Sequence, residues 1–272
     1  MDNLLNDLSG SEWLYWTNTI YQTNYPLDAT HQLRKKHGAI KPPELMADII
    51  NFFTKKGELV LDPFAGVGST LIGAALTHRK ALGFELNNKW VHVYREIQKK
   101  FSIGKHGIQG GTEGRRIQGV LINGDCLQEL RELPPERVEA IITDPPYGCR
   151  HRVEFSRETN FSMFNPGEVK DFGNLPDYED YLQKMGEFGQ EAYRVLKKQR
   201  YLVLLIGDRY HNSEYMPLSY KVAEVIRAQG FKWKGMRIWW NQNTQRPLRP
   251  YAIKRCYVPN ITHQNILIFR KE

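Results

Sequence analysis

The sequence predicts an α/β fold: a mainly parallel sheet covered by helices on both faces. Three observations predict it. Short apolar runs alternate with helix-spaced amphipathic segments along most of the 272 residues, the pattern of parallel strands joined by crossover helices. Four of those runs end in an acid, at Asp62, Glu85, Asp125 and Asp144. Two strand-like runs then close the chain with no helix between them, which adds an antiparallel hairpin.

The elements follow in order. Residues 13–34 are aromatic and polar and read as an irregular arm, so the chain divides into an arm over 1–34 and one α/β domain over 35–272. In KPPELMADIINFFTKKG, Leu45, Ile49, Phe52 and Phe53 recur at helical spacing, Pro43 suits a first turn and Gly57 ends it. ELVLDPFAGVGSTLIGAALTHRK reads as strand, glycine loop and helix. ALGFE is a second strand, NNKWVHVYREIQKK a helix, VLINGD a third strand and VEAIIT a fourth. Residues 104–119 carry many glycines without core periodicity and read as a flexible surface insertion. Residues 148–176 and 241–260 read as long loops, which in a compact domain are functional or disordered. A helix over 178–197, the strand YLVLLIGD, a helix over 218–229 and the strands WKGMRIWW and NILIFRK complete the chain.

Composition narrows the function. The net charge is +8, which favours polyanionic partners, usually nucleic acid, and a basic surface that serves only solubility is the other reading of it. The three cysteines, Cys126, Cys149 and Cys256, lie far apart, so neither a zinc site nor a disulfide framework is expected. That suits a reducing, cytoplasmic setting. No run approaches the roughly 20 apolar residues of a membrane span, the first residues do not form a signal peptide, and the histidines lack metal-ligand spacing.

In open sheets of this kind a ligand binds beyond the carboxyl ends of the strands. Gly66 and Gly68 sit between a strand and a helix, where glycine lets backbone approach a ligand. Leu71 stands where the dinucleotide fingerprint needs its third glycine, and no G-K-[ST] follows to make a phosphate loop. Glu85, at the next strand end, suits the two hydroxyls of a ribose. Asp125 is placed to accept from an adenine amino group, with Cys126 supplying a backbone amide. An acidic rim also favours a cationic sulfonium. Together these residues point to an adenosyl cofactor, and S-adenosylmethionine fits better than NAD.

EAIITDPPYGCR carries the chemistry. The exocyclic amine of a nucleobase is a poor nucleophile, because its lone pair is delocalised into the ring. Two fixed acceptors can hold it closer to tetrahedral. Asp144 and the Pro145 carbonyl provide them, Pro146 stiffens the turn, and the Tyr147 ring can stack on an extruded base.

These motifs resemble the S-adenosylmethionine-dependent DNA amino-methyltransferases that modify adenine-N6 or cytosine-N4. DPPY matches their catalytic motif, DPFAGVGST their cofactor loop, HGAIKPPELMADIINFF the preceding helix with its lysine-proline pair, and RKALGFELNNKWV the ribose strand. HQNILIFRK is similar to their last strand, with Gln264 where glutamate is commoner. The resemblance implies a Rossmann-like methyltransferase fold with a seven-stranded sheet. It implies cofactor contacts from Lys41, Pro42, Asp62, Phe64, Ala65, Gly66, Gly68, Glu85 and Asp125, and base flipping from double-stranded DNA. No large recognition domain separates the two motifs, so the loops, a separate specificity partner or a second copy of the chain must read the target. Arg150 and Arg152, then Arg246, Arg249, Lys254 and Arg255, are the candidate DNA contacts, since such side chains neutralise phosphates and read base edges.

Four other readings stand beside this one. They are a cytosine-N4 enzyme, a tRNA guanine-N2 enzyme sharing TDPPYG, a non-catalytic nucleic-acid-binding subunit, and a nicotinamide oxidoreductase. The Asp-led motif favours adenine. The intact Asp144 and glycine loop count against the subunit, and the broken glycine fingerprint against the oxidoreductase.

Overall fold

The computed structural model describes residues 3–147, 168–211, 214–243 and 257–272. Helix α1 (Gly10–Trp16), strand β1 (Ile20–Thr23) and the single turn α2 (His31–Arg34) come first. They are followed by α3 (Pro43–Phe53), β2 (Leu59–Asp62), α4 (Ser69–Leu76), β3 (Lys80–Glu85) and α5 (Asn88–Lys100). Three short strands, β4 (Phe101–Gly104), β5 (Gly107–Gly110) and β6 (Arg115–Arg116), precede β7 (Val120–Asn123), α6 (Cys126–Glu132) and β8 (Val138–Thr143). The chain continues through α7 (Tyr178–Val195), β9 (Leu196–Ile206), β10 (Arg209–His211), β11 (Glu214–Met216), α8 (Leu218–Ala228), β12 (Lys232–Asn241) and β13 (Gln264–Arg270).

Local chemistry starts the helices where the sequence signals them. Pro43 opens α3. Asn87, Asp125 and Asp177 cap α5, α6 and α7 by accepting a backbone N–H from the first turn. The main sheet has eight strands in the order β1-β12-β13-β9-β8-β2-β3-β7. The block from β9 to β7 is parallel, and β13 is antiparallel to both β9 and β12.

Alternate residues of each central strand enter opposite cores, as a period of two requires. Leu61, Ile141, Leu202 and Leu204 face α6, α7 and α8 with Tyr181, Met185, Phe188 and Ile226. Val60, Ile142, Val203 and Leu205 face α3, α4 and α5 with Leu45, Ile49, Leu71 and Tyr94. Strands buried on both faces explain the near-continuous apolar runs of the sequence.

Two segments differ from their sequence reading. The residues taken as an irregular arm form α1, β1 and α2, and β1 joins the main sheet as an eighth strand parallel to β12. Ser9 and Glu12 form a capping box at α1. Trp16 stacks on Phe52 at 4.8 Å, and the Tyr21 and Tyr25 hydroxyls both donate to Asp48 of α3. Aromatic area and two hydroxyl bonds hold the segment where aliphatic periodicity was lacking. The insertion over 104–119 is likewise folded: β4 pairs with β5 and β6 in a small antiparallel sheet whose Ile103 is buried, with Ile117 buried beside it.

Candidate active site

Chain order along the sheet reverses between β2 and β8. From β2 the chain runs outward through β3 to β7, then returns to place β8 on the other flank of β2. A crevice at the carboxyl ends of the strands is expected at such a switch. The glycine loop after β2 and Asp144-Pro145-Pro146-Tyr147 after β8 both lie there. Asp62, Glu85, Asp125 and Asp144 stand at four neighbouring strand ends, yet their surroundings divide them.

Asp62 is 3% exposed. Its carboxylate accepts from the Thr70 and Thr143 hydroxyls and from the Phe64 amide. It therefore fastens α4 and the end of β8 to the loop. Burial raises its pKa to about 6, against the pull of those hydrogen bonds. Phe64 packs edge-on against Phe172 and Phe188, 5.2 and 5.4 Å away, and the Ala65 amide donates to the Phe84 carbonyl at 2.9 Å.

Gly68 caps α4 with φ +81°, and a Cβ there would meet the Tyr94 ring at 2.3 Å. Gly66 has φ +52°, and a Cβ there would stand 3.1 Å from the His37 imidazole. Sequence reasoning passed over His37. Burial lowers its pKa to about 4, which keeps the ring neutral beside the loop.

Glu85 accepts from the Gly66 amide at 2.9 Å and the Asn87 amide at 2.8 Å, one on each oxygen. The loop amide thus orients the acid. Each carboxylate oxygen keeps a further lone pair for a diol. Burial raises the Glu85 pKa to about 7, with the two amides pulling the other way. Asp125 spends Oδ1 on the Gln128 amide at 2.9 Å as cap of α6, and the Cys126 beside it is buried. Two strand-end carboxylates beyond a glycine turn are acceptors that fit the hydroxyls and amino group of an adenosine.

At the Asp144-Pro145-Pro146-Tyr147 turn, Lys41 forms an ion pair with Asp144. Its Nζ also lies 3.4 Å from the Tyr147 hydroxyl. Tyr147 donates to Asp144 Oδ1 at 2.6 Å and receives a bond from Gln264 Nε2 at 2.8 Å. Arg209 Nη1 donates to the Tyr147 carbonyl at 2.8 Å. A Cβ at Gly207, at the end of β9, would stand 3.2 Å from the Tyr147 ring. Pro145 is buried beneath the turn and Pro146 is half-buried.

The structure thus gathers Lys41 beside Asp144 and Tyr147, while Pro42 caps α3. Arg209 carried no sequence signal, because it contacts Tyr147 from 62 positions away. Arg150, Arg152, Arg246, Arg249, Lys254 and Arg255 lie outside the described residues.

This sheet, with a glycine loop, a strand-end acid and an Asp-Pro-Pro-Tyr turn at its switch point, defines the class of Rossmann-like methyltransferases. A solved structure of TrmN from Thermus thermophilus shares the fold, with a TM-score of 0.52 over 89% of this chain and 53% of that one, at 14% identity. The family profile described as DNA methylase matches residues 6–96 and 138–272, and a profile described as RMKL-like methyltransferase domain matches 53–164. The chain belongs to the DNA methylase family, the S-adenosylmethionine-dependent amino-methyltransferases. The type II methyltransferase M.HindIII of Haemophilus influenzae is 36% identical over 84 residues, 30% of this chain and 27% of its own length. The tRNA (guanine(10)-N(2))-methyltransferase TRMT11 of Dictyostelium discoideum is 29% identical over 147 residues, 51% of this chain and 26% of its own length. The matched stretches cover less than two thirds of these relatives. Among the described residues no helix is long and apolar enough to cross a membrane.

Proposed function

We propose that the protein transfers a methyl group from S-adenosylmethionine to the exocyclic amine of a nucleobase, adenine-N6 in double-stranded DNA. One observation carries this reading. Asp144, Tyr147 and Lys41 converge at the end of β8 beside the glycine loop, at the switch in strand order.

The cofactor, when bound, supplies an electrophilic methyl group on a cationic sulfur. The chain does the rest. Glu85 takes the ribose hydroxyls and Asp125 the adenine amino group. Gly66 and Gly68 shape the loop, with Ala65 and Phe64 beside it and Asp62 holding it closed. Asp144 accepts one N–H of the target amine and the Pro145 carbonyl the other. Each carboxylate oxygen has lone pairs beyond those used by Lys41 and Tyr147. Pro145 and Pro146 have no N–H to compete. The Tyr147 ring, fixed through its hydroxyl and carbonyl, offers a face to a flipped base. Arg150, Arg152, Arg246, Arg249, Lys254 and Arg255 are proposed to contact nucleic acid, with the loops or a second copy of the chain reading the target. A role beside a restriction enzyme belongs to the same reading.

A second reading, methylation of guanine-N2 in tRNA, is favoured by the likeness to TRMT11. The amine chemistry is the same. The DNA methylase profile reaches into both ends of the chain, which supports DNA.

Tritiated S-adenosylmethionine offered to unmethylated duplex DNA and to total tRNA, followed by digestion to nucleosides, separates the readings. Label in methyladenosine from DNA supports the proposal. Label in methylcytosine changes the base, and label in tRNA alone moves the protein to RNA. Asp144→Ala should abolish transfer while cofactor affinity stays within about twofold, as expected of a group acting on the amine alone.

A further inference from the structure

The departure from the family at Gln264 falls on the hydroxyl of the catalytic-motif tyrosine. Gln264 opens β13, next to β9 in the sheet, and its side chain reaches Tyr147 across 117 positions of sequence. Among the described residues, the hydroxyl oxygen meets Gln264 Nε2 at 2.8 Å, Lys41 Nζ at 3.4 Å and Asp144 Oδ1 at 2.6 Å. An ammonium and an amide nitrogen can only donate, and an ionised carboxylate can only accept. The hydroxyl therefore receives from Gln264 and gives its own proton to Asp144. With the Gln264 amide turned over, its oxygen would compete with Asp144 for that proton. Gln264 Oε1 is buried and has no hydrogen-bond partner among the described residues, so the side chain is held to the site through its donor end.

We propose that Gln264 is a positioning residue: its amide donates to Tyr147 and thereby commits the Tyr147 hydroxyl proton to Asp144. The chain of donors runs one way, from Gln264 to Tyr147 to Asp144. It fixes one lone pair of Asp144 Oδ1 and the rotation of the carboxylate that Lys41 grips at Oδ2. That rotation sets where the remaining lone pairs point. The consequence for methyl transfer rests on the proposed role of Asp144; the direction of the hydrogen bond does not.

Glutamate is the discriminating substitution, because it keeps the shape and changes the proton. Ionised, it can only accept, so it draws the Tyr147 proton away from Asp144. Protonated, it can donate as the amide does. Burial and the neighbouring Asp144 raise the pKa of a carboxyl placed there, and the Lys41 ammonium, 3.4 Å from the Tyr147 hydroxyl, opposes them; the wild-type arrangement returns as pH falls through that pKa and is lost as pH rises.

The test labels the tyrosines with carbon-13 at Cζ and assigns Tyr147 by the resonance lost in Tyr147→Phe. In wild type that resonance should stay in place between about pH 5 and about pH 8, away from the ordinary tyrosine range. In Gln264→Glu it should match wild type at the low end and move away as the new carboxyl ionises. In Gln264→Met, which has no donor and no titration, it should be displaced at every pH. The remaining tyrosine resonances report whether each variant is folded. A Gln264→Met resonance at the wild-type position, or a Gln264→Glu resonance that tracks wild type throughout, overturns the proposal. In the transfer assay, kcat of Gln264→Glu should approach that of wild type at the low end of the range and fall about tenfold below it as the new carboxyl ionises, with KM for S-adenosylmethionine unchanged, the signature of an interaction used in the reacting state. If wild type labels neither DNA nor tRNA, the proposed function fails, and the resonances still decide the hydrogen bond.

Discussion

Lys41 and Asp144 form an ion pair across 103 positions of sequence, with side chains only 7% and 17% exposed. The pair joins the segment before α3 to the end of β8 and puts a positive charge on the carboxylate proposed to receive the target amine. By resemblance, Lys41 is a cofactor residue; by geometry, it belongs with the Asp144-Pro145-Pro146-Tyr147 turn. Lys41→Met separates the two roles. Removing one partner of a largely buried pair leaves the other uncompensated, so stability should fall by about 1–3 kcal/mol, below the cost of a fully buried pair. Transfer should fall by about tenfold or more, while the Kd for S-adenosylmethionine measured by calorimetry stays within about twofold. A Kd that rises in step with the lost activity would return Lys41 to the cofactor.

Glu85 gives the fold a pH dependence of definite sign. Its pKa rises from 4.5 to about 7 on burial, so the folded protein binds a proton there that the unfolded chain has released. Stability drawn from this group is therefore present below pH 4.5 and lost as pH climbs toward about 7. Glu85→Gln carries no charge to desolvate. It also loses one of the two acceptors that the Gly66 and Asn87 amides use, a cost independent of pH, so without cofactor its stability relative to wild type should rise by about 1–3 kcal/mol between about pH 4 and about pH 8. Urea melts at the two pH values measure it. Asp62 has the same sign but is present in both proteins, so it drops out of the comparison. In the role proposed for Glu85, ribose hydroxyls donate to its ionised form, so wild-type affinity for the cofactor should tighten as pH rises through about 7, and the variant should lose this dependence.

The parts of this site that were legible in the sequence are those written locally. β2, the glycine loop and α4 are contiguous, and so are β8 and Asp144-Pro145-Pro146-Tyr147. Period-two burial, helix caps and prolines mark them without any knowledge of tertiary structure. What joins them was not legible. Lys41 meets Asp144, Arg209 meets the Tyr147 carbonyl and Gln264 meets the Tyr147 hydroxyl only because the sheet order brings β2, β8, β9 and β13 side by side. The arm was misread for a different reason. Trp13 and Trp16 spend their area on Phe52, but two tryptophans among polar residues do not make a hydrophobic period. The Ser9 and Glu12 capping box was the signal that could have marked α1. In the 104–119 insertion, Lys105 and His106 turn the chain between the paired Gly104 and Gly107, and neither belongs to the Asn, Asp and Gly set that marks a two-residue hairpin in sequence.

Gly68 tests whether the loop glycines serve packing or the ligand. Its φ of +81° is costly for an L-residue, and a Cβ would overlap the Tyr94 ring at 2.3 Å. Gly68→Ala should therefore cost about 1–3 kcal/mol for the backbone and the collision together. The loss should appear in thermal melts without cofactor. Shortening the obstacle with Tyr94→Leu should relieve the collision but not the backbone strain, so the double variant should recover part of the loss relative to Tyr94→Leu alone. Full additivity would mean that the ring does not limit the loop.

Arg34 ties the segment before α3 to both halves of the site. It is 1% exposed and pairs with Asp28, whose side chain is 5% exposed. Its Nε donates to the Thr30 hydroxyl at 2.8 Å, and its Nη1 donates to the Lys41 carbonyl at 3.1 Å and the Ser69 hydroxyl at 2.9 Å. One planar fork thus fixes the backbone of the lysine that grips Asp144 and the first residue of α4. An ammonium cannot reproduce that fork. Arg34→Ala should cost about 3–5 kcal/mol, since Asp28 is left buried without its partner. Arg34→Lys keeps the charge and should cost less, yet transfer should still fall, because the Lys41 carbonyl loses its anchor. If Arg34 acts on the reaction through Lys41, then in a Lys41→Met background Arg34→Lys should still lower stability but leave kcat where Lys41→Met put it. Independent losses in kcat would show that Arg34 works through Ser69 and the glycine loop instead.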